Sequence, residues 1–248
     1  MIKRTFLSAT AAFAFACAPV SAFAQDADAE PDSEESVENE DEEEEQEEDE
    51  APAPQRFYED INYNADEDPD TVWVLDLSNG ERIKIRLMED WAPGHVERIK
   101  TLTNEGFYDG IVFHRVIEGF MAQGGDPTAT GQGGSALPDL TAEFNPMPHV
   151  RGSVSMARSP SGDDTANSQF FIVFYPRFSL DKRYTNFGRV IENMAAVDEI
   201  NRGEPPRNPT RILQASLASQ NKPKPEPGAP PVDSAITADL LNAPLQNQ

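Results

Sequence analysis

The sequence predicts a mainly β domain in the middle of the chain, either a closed barrel or a sandwich. Short apolar runs recur between residues 71 and 217, Gly, Pro and Asp turns separate them, and only two stretches show helical spacing. Residues 71–77 (TVWVLDL) and 81–87 (ERIKIRL) are the first two strands. In the second, Ile83, Ile85 and Leu87 alternate with charged residues, as a half-buried strand requires. Ser78-Asn79-Gly80 joins the two runs, and Asn-Gly in that position signals a hairpin. Residues 92–105 place Val96, Ile99 and Leu102 at helical spacing, with Pro93 in the first turn and Gly106 as a stop. Further strands are expected at 111–117, 120–123, 153–157, 169–173 and 187–190, a short helix at 195–201 and a closing strand at 210–217.

The flanks have a different character. Residues 1–24 carry Lys3 and Arg4, then a short apolar core, then the small-x-small end Ala22-Phe23-Ala24. This is the pattern of a secretory signal peptide cleaved before Gln25, which predicts export, most simply to a bacterial periplasm. The alternative is an uncleaved anchor, but the apolar run is short for a bilayer, so no stable membrane insertion is expected. Cys17 is the only cysteine and leaves with the leader. The mature chain then has no disulfide, no cysteine nucleophile and no zinc–thiolate site, and its core is held by packing.

Residues 25–70 read as an acidic disordered tether followed by a lead-in. Between Asp26 and Glu50 there are 17 acidic residues and no basic ones. Phe57, Tyr58 and Tyr63 are candidates to dock this segment on the domain. Residues 218–248 form a Pro-rich flexible tail (KPKPEPGAPP), with one helical turn expected at 236–241. The formal net charge of −24 belongs mostly to the tether. Between Thr71 and Leu213, 15 Lys and Arg stand against 18 Asp and Glu. A nearly neutral domain without a clustered basic face has no nucleic-acid partner to offer.

Generic motifs are uninformative. The loop at 124–134 is glycine-rich but lacks the Lys-Ser/Thr of a phosphate loop and does not fit G-x-G-x-x-G, so it reads as tight turns beside a groove. His95, His114 and His149 have no ligand spacing, which predicts no metal and no cofactor. Residues 152–156 do not form the G-x-S-x-G elbow of a serine hydrolase.

One long block is specific. Residues 106–127, GFYDGIVFHRVIEGFMAQGGDP, closely resemble the signature of the cyclophilin family. Its companions follow at matching distances: Glu143-Phe144, His149 and Gly152, Ser155-Met156-Ala157, Asn167-Ser168-Gln169-Phe170-Phe171, and Asn186-Phe187-Gly188-Arg189-Val190. The resemblance covers about residues 71–217 and leaves out both tails. It implies a closed eight-stranded antiparallel β-barrel capped by two α-helices, and peptidyl-prolyl cis/trans isomerase activity on proline-containing polypeptide clients. By position it makes Arg115 the catalytic arginine, with Phe113 and Gln123 beside it. Phe113, Phe120, Met121, Phe171 and Leu180 would line the proline pocket, Gln123 would bond the substrate backbone, and Ala157 with Arg158 would line the adjoining subsite. A monomer is expected. The rival reading is a non-catalytic proline-peptide-binding or chaperone module that uses the same groove.

The residues depart from the family pattern at three places. Tyr184 stands where many members have histidine, bounding the pocket with a hydroxyl. The tryptophan that helps many members hold cyclosporin aligns with Ser179, or with Phe178 if the loop shifts by one residue, which predicts weak cyclosporin binding. The stretch at 158–165 replaces an asparagine-rich loop, and Arg158 there predicts a preference for clients with acidic flanks.

Overall fold

The computed structural model describes residues 58–227. The leader, most of the acidic tether and the helical turn expected at 236–241 lie outside them. Eight strands occur in chain order: β1 (Val72–Leu77), β2 (Arg82–Leu87), β3 (Arg115–Ile117), β4 (Met121–Gly124), β5 (Ser153–Met156), β6 (Phe170–Val173), β7 (Asn186–Glu192) and β8 (Ile212–Leu217). Helix α1 (Pro93–Asn104) follows β2, and α2 (Met194–Asp198) follows β7. The strands form one sheet in the order β3-β4-β6-β5-β7-β2-β1-β8, with all neighbours antiparallel.

The sheet curls until its two ends meet, as the barrel expectation requires. The seam is not a full ladder. Residues 110–113 cross it, with Gly110 N–H donating to Ile212 O, Ile212 N–H to Ile111 O, and Phe113 N–H to Thr210 O. This shortens the strand expected at 111–117, because regular pairing with β4 starts only at Arg115.

Alternation fills the interior. Trp73, Leu75 and Leu77 of β1 and Ile83, Ile85 and Leu87 of β2 all face the core. Asp76 and Arg82, opposite each other on the other face, form a two-point ion pair at 2.6 and 2.9 Å. Gly80 closes the hairpin at φ 85°, the left-handed conformation that its Asn-Gly signal anticipates. At the centre, the Trp73 ring meets those of Phe170 (4.9 Å) and Tyr108 (5.1 Å) edge-on. Helix α1 covers the barrel with Val96, Ile99 and Leu102, the residues its spacing selects. Its C-terminus closes with Phe107 N–H donating to Leu102 O and Gly106, at φ 72°, donating to Thr103 O.

The lead-in is anchored by a residue the sequence does not flag. Tyr63, expected to dock, is 58% exposed. Arg86 of β2 is buried instead, and its guanidinium donates to the carbonyls of Asn62, Asn64, Glu67 and Asp68 and to the Thr71 hydroxyl. Four backbone carbonyls thus converge on one planar cation, which suits a rigid fork of donors.

The start of α1 has no local cap, since Ala92 cannot accept a hydrogen bond through its side chain. Glu143 caps it from 48 residues away, accepting from Gly94 N–H (3.0 Å), His95 N–H (3.0 Å) and His95 Nδ1 (2.6 Å). Desolvation pushes the Glu143 carboxyl up, but these bonds outweigh it and hold the group below its ordinary range. A depressed carboxylate contributes stability above its unfolded value, about 4.3, and loses it as pH falls through the folded value. Glu143→Ala is therefore expected to cost about 1–2 kcal/mol at neutral pH, roughly 3–8 °C in Tm. Thermal melts across pH check this. The gap from wild type should narrow in acid, and a gap that widens would contradict the cap.

Candidate active site

The site lies on the outer wall of the barrel, and strand alternation puts it there. In β3, β4 and β6 successive side chains point to opposite faces. Val116, Ala122, Phe170 and Ile172 turn inward. Their neighbours Met121, Phe171 and Val173 form a second apolar cluster outside, with Ile117, Phe120, Ala157, Leu180 and Tyr184 packed against it. Arg115 pairs with Gln123, and Gln123 with Phe171, so guanidinium, amide and aromatic ring stand in one row across three strands. A groove of about 760 Å³ runs over this row.

Arg115, Gln123, Phe120, Met121, Ala157, Arg158, Phe171, Leu180 and Tyr184 all line the groove. Phe113 does not, and its placement is a correction. It is fully buried in the barrel core, its ring edge-on to Phe170 at 6.0 Å. An uninterrupted strand at 111–117 would have put Phe113 and Arg115 on the same face. The chain instead leaves the seam at Phe113 and joins β4 at Arg115, which breaks the alternation between them. Phe113 supports the wall from behind.

The apolar floor is well packed. Met121 and Phe171 are only 2% and 5% exposed. Phe171 meets Tyr184 edge-on at 5.6 Å and stacks on His149 behind it. Arg177 lies 5.1 Å over the Phe120 ring. Arg158 sits 4.9 Å over Tyr184, pairs with Asp163 at 3.0 Å and donates to Arg183 O. Its charge is already engaged within the protein, which reduces the acidic-flank preference that Arg158 alone predicts. Phe178 and Ser179, the two positions matched to the missing tryptophan, are exposed and do not line the groove.

Arg115 is held on two sides. Its Nε donates to Glu204 Oε2 at 2.9 Å and its Nη1 to Gln123 Oε1 at 3.4 Å. Gln123 Nε2 donates to Gln169 Oε1 at 2.9 Å, and Gln169 Nε2 donates to the carbonyls of Gly133 (2.8 Å) and Gly131 (3.2 Å). The glycine-rich loop is in turn organised by buried Asp126, whose carboxylate accepts from the backbone N–H groups of Thr128, Thr130, Gly131 and Gly133 and from the Thr128 hydroxyl. Burial works to raise the Asp126 pKa, but these bonds together hold it below the usual range. A Cβ at Gly133 would lie 2.1 Å from an Asp126 oxygen, so the loop closes only around glycine there. At one end of the groove, burial, reinforced by Arg115 and opposed by Asp126, pushes His114 below the ordinary histidine range. It is a neutral imidazole at neutral pH and adds no second charge beside the arginine.

Sequence reasoning missed the pair Glu204-Pro205, which lines the groove, and Gln169, which lines the adjoining pocket and accepts from Gln123. Gln169 was readable, because it stands two residues before Phe171 on the same face. Glu204 was not, since it reaches Arg115 from 89 residues away on an irregular loop.

The family model described as "Cyclophilin type peptidyl-prolyl cis-trans isomerase/CLD" matches residues 74–217, more than half of the chain. A protein of Brucella suis named "Probable peptidyl-prolyl cis-trans isomerase" is 43% identical over 171 residues, covering 62% of this chain and 86% of its own. Among solved structures, the cyclophilin AquaCyp293 from Hirschia baltica is similar with a TM-score of 0.57 and 28% identity, covering 63% of this chain and 77% of that one. A Cryptosporidium parvum cyclophilin-type isomerase, solved in the presence of the dipeptide Ala-Pro, has a TM-score of 0.55 and 27% identity, covering 59% of this chain and 98% of that one. Fold, groove and sequence lead to one conclusion: the chain belongs to the cyclophilin-type peptidyl-prolyl cis-trans isomerase family.

Proposed function

We propose that the chain accelerates cis/trans exchange at X-Pro bonds of exported polypeptides, with Arg115 as the transition-state donor, and thereby assists their folding in the periplasm. One observation supports the catalytic assignment above the rest: a fixed guanidinium stands beside a dry aromatic floor, with hydrogen-bond donors left over after its internal partners are served. The neighbour solved with Ala-Pro supports the ligand class, and the leader at 1–24 supports export.

The chemistry follows from the amide. An X-Pro bond resists rotation because the nitrogen lone pair is delocalised into the carbonyl, with a barrier of roughly 18–20 kcal/mol. Uncatalysed exchange takes on the order of tens of seconds. Twisting the bond localises the lone pair on nitrogen, which accepts a hydrogen bond only near the transition state. A guanidinium aimed at that nitrogen therefore binds the transition state better than the ground state. Phe120, Met121, Phe171 and Leu180 grip the ring and exclude water, which strengthens the donor. The amide of Gln123 keeps one N–H free of Gln169, and that N–H holds the substrate carbonyl side. Reaching about 10³ turnovers per second needs roughly five decades of acceleration, or ~7 kcal/mol. A single charge-assisted bond contributes about 1.5–3 kcal/mol, so desolvation and conformer selection by the pocket supply the remainder. No proton is transferred.

Three outcomes test this. In a protease-coupled or NMR exchange assay, Arg115→Ala should lower kcat/KM by about 10²-fold or more, while melting within a few degrees of wild type because its ion pair is exposed. Equal activity in mutant and wild type would instead favour a non-catalytic binding module. Cyclosporin should bind more weakly than about 1 μM by calorimetry, because neither Phe178 nor Ser179 supplies an indole to the groove. Mass spectrometry of the exported protein should find Gln25 at the N-terminus, and an intact leader would overturn the assignment to the periplasm as a free protein.

A further inference from the structure

The ion pair between Arg115 and Glu204 is exposed, with side chains 43% and 51% accessible. Exposed pairs contribute little to stability as a rule, yet this one is built with care. The loop carrying Glu204 joins the free edge of β3 through two backbone bonds, Val116 N–H to Gly203 O (2.8 Å) and Gly203 N–H to Val116 O (2.9 Å). Gly203 stands at φ 144°, and a Cβ there would lie 2.6 Å from the Pro206 backbone, so the turn that presents Glu204 accepts glycine alone. Arg202, on the other side, is pinned by Glu118 at 2.7 Å and by the Phe174 ring at 4.3 Å. Glu204 therefore meets the residue adjacent to Val116 from a fixed backbone.

The atom it meets matters. Glu204 occupies Nε, the inner edge of the guanidinium, while Gln123 accepts from Nη1 on the opposite flank. An arginine has five N–H donors in one plane. With Nε–H and one Nη1–H engaged, three Nη N–H donors remain on a plane whose rotation is restrained from two sides. A free arginine side chain would have to surrender its rotamer freedom as the substrate twists, whereas the ion pair removes that freedom beforehand. The anion also withdraws some positive charge from the fork.

We propose that Glu204 is a positioning residue for the isomerase reaction: its carboxylate fixes the Arg115 guanidinium through Nε so that the Nη edge faces the substrate nitrogen. The proposal rests on the reading of Arg115 as the catalytic donor, and the experiment separates the two. Wild type, Glu204→Gln, Glu204→Asp, Glu204→Ala and Arg115→Ala are compared by NMR exchange on one X-Pro peptide, with kcat and KM resolved, and the Arg115 Nε–H resonance is followed in each of the first four. Glu204→Ala and Glu204→Gln should lower kcat about 5–10-fold with KM within a factor of two, Glu204→Asp should recover most of kcat, and the Arg115 Nε–H should lose its protection from exchange in the first two and regain it in the third. If Arg115→Ala is inactive while all Glu204 variants match wild type in kcat, the positioning role is overturned and the catalytic arginine stands. If Arg115→Ala matches wild type, both fall. A drop in kcat with the Nε–H unchanged would also overturn the proposal, because the effect would then come from elsewhere in the loop.

Discussion

The groove depends on the register of three short strands. Arg115, Gln123 and Phe171 lie opposite one another across β3, β4 and β6, and Ile117, Met121 and Val173 form the next row on the same face. Because side chains alternate with a period of two, a slip of one residue would send the arginine into the barrel and Val116, Ala122 and Phe170 into water. The interior prevents that slip. Phe170 is locked between Trp73, Tyr108 and Phe113, so the packing that stabilises the barrel also places the row that lines the groove. Core and site are two faces of the same ladder.

On that wall the polar groups form a chain. It runs from Glu204 to Arg115, Gln123 and Gln169, and ends on the carbonyls of a glycine loop that Asp126 organises from beneath. Each amide donates in one direction and accepts in the other, so the orientation of any one member constrains the next. The apolar floor beside this chain is buried, while the side chain of Arg115 itself is 43% exposed and is oriented by its bonds to Glu204 and Gln123.

Charges around the groove are mostly satisfied within the protein. Arg158 is occupied by Asp163 and Tyr184, and Arg177 lies against Phe120. The acidic excess of the chain sits in residues 26–50, apart from a nearly neutral barrel.

Much of this was legible in the chain. The alternating runs, the Asn-Gly hairpin and the Val96/Ile99/Leu102 stripe located six strands nearly in full, the middle of β7 and both helices to within a few residues, because these signals are local and depend on two-residue or 3.6-residue periods. The long block at 106–127 and its companions identified the family and led to nine of the residues that line the groove, while the glycine-loop residues, Pro160 and Glu204-Pro205 came only from the fold. Phe113 was misplaced, because the break in alternation at the barrel seam comes from pairing with a segment almost a hundred residues later. Glu143 capping α1, Arg86 gathering four carbonyls and Glu204 holding Arg115 were equally invisible, since each joins residues remote in sequence through an ordinary side chain with no local signature. The sequence alone determined which residues alternate, turn and repeat the family's motif. Only the closed barrel decided which distant partner each charge meets.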